Sequence, residues 1–338
     1  MRVLFLGGTG NISTACVEHA LAQGHQVGIL TRGQRLSPFG PWVDVLHGNR
    51  DDPAALAKAA DGRWDAIVDF LCYTPAQAET AVRAFAGRTG QYVFISTAAV
   101  YDKPNARLPI TEDAPLANPF WEYARLKIAC EQTVRRAHHE RGLPVSIVRP
   151  SYTYGPTWIP SGFGGQDYTV VDRMRRGLPV VCHGDGTALW GMTHSSDFAV
   201  GLVGLLGHPA AIGEAFHVTT DEVLTWNAIY ETIARAAGVE ARLVHVPSTL
   251  IAALVPDRGA SLLGDKAHSS IFDNSKVRRL VPEFQPKVAF AEGVTRSIAW
   301  FDADPARRVV SRVATENIEK VLAAWSRAWE GLPEGTPR

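Results

Sequence analysis

The stretch that most restricts the fold is RVLFLGGTGNIS, residues 2–13. A short unbroken apolar run ends in glycines, and the following segment, NISTACVEHALAQG, repeats its apolar residues at helical spacing. An apolar run without alternation is the mark of a strand buried on both faces. Gly7 permits a tight turn out of that strand, and Gly10 lets the backbone approach a bound group. The first amides of the helix then face a common point, which suits the pyrophosphate of a dinucleotide. Ser13 stands where a third glycine would give the closest helix–strand packing, so slightly looser packing is expected there. Glycines also make ordinary turns; the placement between strand and helix gives this pattern its meaning.

The same alternation continues. HQVGILT, WVDVLH, DAIVDFL, QYVFIST and PVSIVRP are short runs rich in Val and Ile, and helical stretches such as DPAALAKAA and PAQAETAVRAFAG lie between most of them. This predicts an α/β chain with a doubly wound parallel sheet. After RPSYTYGP (149–156) Gly and Pro become frequent and the elements shorten. GEAFHVT and ARLVHVP read as later strands, and FAEGVTRSIAWFDAD as a helix. FDNSKVRRL starts another, with Asp273 or Asn274 placed to cap it. DRMRRG (172–177) reads as the solvated end of a helix, and 314–330 as an amphipathic helix before a polar tail. The expected organisation is a dinucleotide-binding domain over 1–155, with elements around 196–236 returning to it. A smaller lobe takes 156–195 and 237–305, a C-terminal helix and tail take 306–338, and a cleft lies between domain and lobe.

The end of the second strand selects the cofactor. An acid there would accept from a ribose diol, whereas an arginine welcomes a 2′-phosphate. Here Thr31 holds the acid's place and Arg32 follows, which favours NADP over NAD. Elsewhere composition mainly excludes. Lys and Arg number 34 against 34 Asp and Glu, so nucleic acid is not expected as a main partner. Cys16, Cys72, Cys130 and Cys182 are far apart and lack C-x-x-C spacing; they read as reduced, buried thiols of a cytoplasmic protein. The histidines, including the adjacent His138 and His139, form no metal-ligand pattern, and no metal is expected. No apolar run is long enough for a membrane span.

WEYARLK places Tyr123 one helical turn before Lys127. Alone, such a pair is weak evidence, because amphipathic helices contain many. Three features coincide, however: GGTGNIS after the first strand, ISTAAVYD ending a central strand, and YARLK on the next long helix. Together they resemble the extended short-chain dehydrogenase/reductase family, the NAD-dependent epimerases and dehydratases, above all UDP-glucose 4-epimerase and its sugar-modifying relatives. GHQVGILTRG, PITEDAPL, RPSYTYGP, GDGTALW, THSSDFAVGL, FDNSKVRRL and AEGVTRSIAWF follow in that family's order. GDKAHSSIFDNSK resembles the branch that includes chloroplast stem-loop binding proteins.

The resemblance implies a Rossmann-type domain with a smaller C-terminal substrate lobe, and hydride transfer at a hydroxyl or carbonyl carbon of a sugar-like substrate. Thr97, Tyr123 and Lys127 fall on the catalytic positions. A free phenol, with a pKa of about 10, is a poor base at neutral pH. A nearby ammonium stabilises the phenolate and lowers that value. Tyr123 would then exchange a proton with substrate, Lys127 would also hold the nicotinamide ribose, and Thr97 would bond the reacting oxygen. By the same resemblance Gly7, Thr9, Gly10, Asn11, Ile12, Thr31, Arg32, Asn49, Phe70, Leu71, Cys72, Ser96 and Pro150 join Tyr123 and Lys127 around the cofactor. Tyr152, Trp190, His194 and His268 fall in substrate-lining segments. Tyr152 replaces an Asn common in relatives acting on nucleotide sugars, and Trp190 replaces an Arg that meets the diphosphate. Leu262 and Leu263 lie where a second such Arg is expected. Apolar groups cannot replace charge-assisted bonds to a diphosphate. The substrate thus stays open between a nucleotide sugar and a smaller polyol, sugar derivative or ketone. A relative that binds cofactor or RNA without turnover is the alternative. The resemblance also implies a homodimer, with Ala78, Ala81, Val82, Phe85, Ala129, Cys130 and Val134 as a seam between two long helices.

Overall fold

The computed structural model describes residues 1–34, 36–163, 167–328 and 330. In chain order the first elements are β1 (Arg2–Leu6), α1 (Ser13–Ala22), β2 (Gln26–Thr31), β3 (Val43–His47), α2 (Pro53–Ala60), β4 (Ala66–Asp69), α3 (Pro75–Phe85), β5 (Gln91–Ile95), α4 (Glu122–Arg141) and β6 (Val145–Arg149). The apolar runs become strands because neither face meets water. Every residue of β4, β5 and β6 is buried. Then come β7 (Tyr152–Tyr154), α5 (Thr169–Arg175), β8 (Val180–His183), β9 (Leu189–Trp190), β10 (Met192–His194), α6 (Ser195–Gly204) and β11 (Ala215–His217). The remainder is β12 (Leu224–Thr225), α7 (Trp226–Ala236), β13 (Leu243–Val246), α8 (Ser248–Leu254), α9 (Pro256–Ser261), α10 (Ser275–Leu280), α11 (Phe290–Asp302) and α12 (Arg312–Arg327).

Seven strands form one parallel sheet in the order β11-β6-β5-β4-β1-β2-β3. Val3, Phe5, Val68 and Val93 join α1 and α6 in a core on one face. Leu4, Leu6, Ile67, Tyr92 and Phe94 join α2, α3 and α4 on the other. Adjacent residues of one strand thus serve opposite cores, which is why the runs do not alternate. Gly28 in β2 is demanded by packing: a Cβ there would lie 2.4 Å from the Trp64 ring.

The described residues divide into two compact units. The first holds Met1–Gly155, Gly191–Val223 and Ser270–Ala289; the second holds Pro156–Trp190, Leu224–Ser269 and Phe290–Arg338. Three stretches fall on the other side of the sequence-based boundaries, and one of them, 191–195, sits in the first unit. Segment 270–289 sits in the first unit, where Phe272 bridges to Ile110 and Asn274 bonds Thr219. Residues 224–236 sit in the second, where β12 pairs with β9 and α7 packs on α11. That unit is built around Val181, Val246, Ile251 and Val321, with β8 and β13 parallel.

Of three local expectations, one is decided between its alternatives and two change. Asn274 is the N-cap of α10, yet its side chain turns inward and accepts from Thr219, while the Asp273 carboxylate takes the Ser275 amide. Arg173 is not solvated; it is 2% exposed and pairs with Glu319 at 2.6 Å. Six of the seven residues of the expected dimer seam face inward: Ala78, Ala81, Val82, Phe85, Cys130 and Val134 are fully buried against the sheet of their own chain, while Ala129 is half-buried. An apolar stripe on a helix flanking a sheet is used first by that sheet. All four cysteines are free and buried. No helix among the described residues is long and apolar enough to cross a membrane.

Candidate functional site

The β1–α1 turn has the backbone its glycines foretell. Gly7 and Gly8 have φ of 109° and 118°, values that side-chain-bearing residues rarely adopt. Gly8, which sequence reasoning passed over, is the tighter of the two, since a Cβ there would stand 2.6 Å from Ile29 Cγ2. Gly7 N donates to Leu30 O at 3.0 Å, tying the turn to β2. A Cβ on Gly10 would meet only Ser13 Oγ, at 3.2 Å, so the turn is open on that side. Ser13 does more than loosen packing: its hydroxyl accepts from Gly10 N at 2.9 Å. Thr9 lies within the turn, and Ile12 is the N-cap of α1, its side chain against the core. Asn11 Nδ2 donates to Thr153 O at 3.2 Å. Asn11 Oδ1 is buried with no hydrogen-bond partner among the described residues.

The other expected cofactor positions lie at the carboxyl ends of neighbouring strands. Thr31 ends β2, and Arg32 beside it is exposed. Asn49 is exposed after β3, its Oδ1 accepting from Asp51 N. Phe70, Leu71 and Cys72 follow β4 and pass beside Gly7, whose missing Cβ would lie 3.5 Å from Leu71. Ser96 and Pro150 follow β5 and β6, and Pro150 O accepts from Ala98 N at 2.8 Å.

Lys127 is 2% exposed, and burial lowers the pKa of its ammonium, with Cys72, Cys130, Asp69 and Glu131 opposing. Its Nζ donates to Cys72 O at 2.7 Å and to Ile95 O at 2.8 Å. The Tyr123 ring centroid is 5.9 Å from that nitrogen, and the Trp121 ring packs on Tyr123 at 4.7 Å. Thr97 lies two residues beyond β5, its Oγ1 accepting from Ala99 N at 3.2 Å. Thr97 and Tyr123 are both half-buried. Tyr123 and Lys127 thus meet at the start of α4, within the first unit, and Lys127 is bonded to the last carbonyl of β5, two residues before Thr97.

Two buried ion pairs support this end of the sheet, and sequence reasoning named neither. Arg149 grips Glu131 with two bonds, Nε to Oε1 at 2.9 Å and Nη2 to Oε2 at 2.6 Å. Ser96 Oγ donates to the same carboxylate at 2.6 Å, so this expected cofactor residue is engaged within the protein. Arg149 also donates to Tyr101 Oη at 2.7 Å, and that hydroxyl reaches His217 Nε2. Burial pushes His217 down to about 3, so it is neutral, with Nδ1–H donating to Asp273 O. The second pair joins Arg50 to Asp69 at 2.6 Å, and Tyr92 Oη donates to Asp69 at 2.7 Å. Glu131 was within reach of sequence reasoning, since it stands one turn after Lys127 on the same face. Arg50 and Asp69 carry no such signal.

The expected substrate residues divide between the units. In the first, Tyr152 opens β7, which pairs with β10, and His194 ends β10, its Nδ1 bonded to Ser196 Oγ at 2.7 Å. In the second, Trp190 is 2% exposed, packs on Trp226 at 5.7 Å, and donates Nε1–H to His268 O at 2.9 Å. His268 Nε2 in turn bonds Leu263 O.

A strand–glycine turn–helix unit opening a seven-stranded parallel sheet is the architecture of the Rossmann-type dinucleotide-binding proteins. The family model for the NAD dependent epimerase/dehydratase family matches residues 3–219, and the chain belongs to that family. Its members include NAD-dependent epimerases, dehydratases and reductases. The chain is 30% identical over 289 residues to 2'-dehydrokanamycin reductase of Streptomyces kanamyceticus, covering 85% of this chain and 81% of that protein. It is 24% identical to the chloroplast stem-loop binding protein of 41 kDa b of Arabidopsis thaliana, over 72% of this chain and 65% of the other. The fold matches dTDP-glucose 4,6-dehydratase of Streptomyces venezuelae, solved with NAD, at TM-score 0.72 and 23% identity, covering 90% and 98% of the two chains. It also matches the NAD complex of Thermus thermophilus UDP-glucose 4-epimerase, at TM-score 0.71 and 21% identity over 89% and 99%.

Proposed function

We propose that this protein transfers hydride between a nicotinamide cofactor and a hydroxyl or carbonyl carbon of a sugar-like substrate, with Tyr123 as the acid–base. The observation that carries the reading is Tyr123 beside a buried lysine that is tied to the ends of β4 and β5 by its bonds to Cys72 and Ile95 carbonyls. The likeness to a reductase of a kanamycin derivative supports reduction of a sugar ketone that carries no nucleotide. Tyr152, Trp190, Leu262 and Leu263, standing where diphosphate-binding relatives carry polar or cationic groups, support the same choice.

The residues fit such a cofactor. The turn at Gly7 and Gly8 leaves room for a pyrophosphate over Gly10. Gly7, Thr9, Gly10, Asn11 and Ile12 would hold the pyrophosphate, Thr31, Arg32 and Asn49 the adenosine end, and Phe70, Leu71, Cys72, Ser96 and Pro150 the nicotinamide end. The bound nicotinamide supplies the carbon that gives or accepts hydride. Tyr123 gives a proton to the substrate oxygen in reduction and takes it back in oxidation. Lys127 holds positive charge beside that phenol, and Thr97 donates to the reacting oxygen. We further read Arg32 as favouring NADP(H), the chain as cytoplasmic, and the assembly as a homodimer formed through faces of α3 and α4 other than the buried stripe. Light scattering at micromolar concentration tests the last point.

Tyr123→Phe keeps the ring and removes its proton. It should lower turnover of a sugar ketone by about 10²- to 10⁴-fold and leave cofactor affinity within a few-fold. Unchanged turnover would overturn the acid–base role. An RNA-binding role, prompted by the stem-loop binding relative, expects Tyr123→Phe to be silent in an RNA-binding assay. Arg32→Asp should invert the cofactor preference by about tenfold or more, since the new carboxylate repels a 2′-phosphate and accepts from a 2′-hydroxyl; titration with NADPH and NADH reads it.

A further inference from the structure

A second tyrosine stands at the acid–base pair. The Tyr73 ring centroid is 4.8 Å from Lys127 Nζ, nearer than Tyr123 at 5.9 Å, and Phe94 is at 4.9 Å on another side. The ammonium therefore lies among three aromatic rings and two carbonyl oxygens. Among the described residues no carboxylate forms an ion pair with it. The titratable groups around Lys127 come from two elements. From its own helix α4 come Tyr123, Cys130 and Glu131, and from β4 and the loop after it come Asp69, Cys72 and Tyr73. Both carboxylates are already neutralised, Asp69 by Arg50 and Glu131 by Arg149. β5 contributes Phe94 and the Ile95 carbonyl, neither of which titrates. What keeps a charge this deep is then the carbonyl pair and the ring faces.

Of the three rings, Phe94 belongs to the sheet core and Tyr123 to the proposed chemistry. Tyr73 has neither duty, and its 44% exposure is unusual for a large ring beside a buried site. Its loop is fixed from behind. Tyr73 N donates to Gln77 Oε1 at 2.7 Å, Thr74 and Gln77 form a reciprocal cap on α3, and Gln77 Nε2 donates to Asp51 at 2.6 Å. The ring is thus held over the ammonium by bonds that do not involve its own hydroxyl.

We propose that Tyr73 is a positioning residue for the reaction: its ring face keeps Lys127 charged and in place beside Tyr123. This rests on the acid–base reading above. The ring, not the phenol, carries the role, so the two halves of the side chain separate by substitution. The test follows the seven lysines of the chain by NMR of 13Cε-labelled protein between pH 6 and 11, with Lys127 assigned through Lys127→Arg. Tyr73→Phe should titrate with the unmutated protein. Tyr73→Leu should move the Lys127 midpoint down by about 0.5 to 1.5 pH units, and the alkaline limb of kcat should move with it. Tyr73→Met is a second ring-free variant should the leucine protein fold poorly. A Lys127 midpoint that stays put in both ring-free variants overturns the proposal. A midpoint that moves while the kcat limb does not leaves the ring contact intact and overturns instead the reading that Tyr123 and Lys127 act together.

Discussion

Two buried cations flank the same stretch of α4, and the fold treats them differently. Arg149 meets a carboxylate with two short bonds and shares it with Ser96. Lys127, one helical turn from that carboxylate, meets carbonyl oxygens and ring faces among the described residues. A guanidinium locked to its counter-ion cannot change state, and here it fastens β6 to α4. An ammonium without a carboxylate keeps its charge available to a neighbouring phenol, at the cost of being easier to deprotonate. The contrast teaches that full pairing marks a structural charge and partial pairing a working one.

Glu131→Gln strikes hardest at this contrast. It strands Arg149 in the interior, and denaturant unfolding should register a loss of about 3–5 kcal/mol. A loss below about 1 kcal/mol would mean that the pair is not structural in the sense drawn here. Acid comes next. Burial holds His217 at about 3 and His183 at about 4, against an ordinary value near 6.5. The unfolded chain takes up protons below pH 6.5 that the folded chain refuses until about 4 and 3. Stability is therefore complete above pH 6.5 and declines as pH falls toward 4 and then 3. Melting temperature measured from pH 7.5 to 4 should trace that decline. The smallest effect on stability belongs to Lys127→Met. It removes a desolvated charge but orphans two carbonyls, terms of opposite sign that should leave the unfolding free energy within about 1 kcal/mol. Turnover should collapse all the same. If stability fell as far as in Glu131→Gln, the two cations would be alike and the contrast would fail.

Much of this was legible in the chain. The unbroken apolar runs required strands buried on both faces, and the glycines after β1 required a turn that only they can make. Tyr123 and Lys127 were readable because helical spacing alone puts them on one face. The stripe of Ala78, Ala81, Val82 and Phe85 was legible as an apolar face, but a periodicity does not say whether its partner is the chain's own sheet or a second copy. Asn274 shows the same limit at small scale, since capping is a local rule and Thr219, 55 residues away, outbid it.

Local spacing and chain order thus determined the parallel sheet, the glycine turn and the Tyr–Lys pair, because each depends on backbone geometry within a few residues. Only the tertiary structure decided what surrounds the lysine. Tyr73, Phe94, Cys72 O and Ile95 O reach it from the ends of two strands, across separations of 32 to 55 residues for the two hydrogen bonds. It also decided that Arg50 would find Asp69 and that Arg149 would find Glu131. A buried charge must be satisfied by whatever the packing brings within a few ångströms, and no pattern along the chain records that distance.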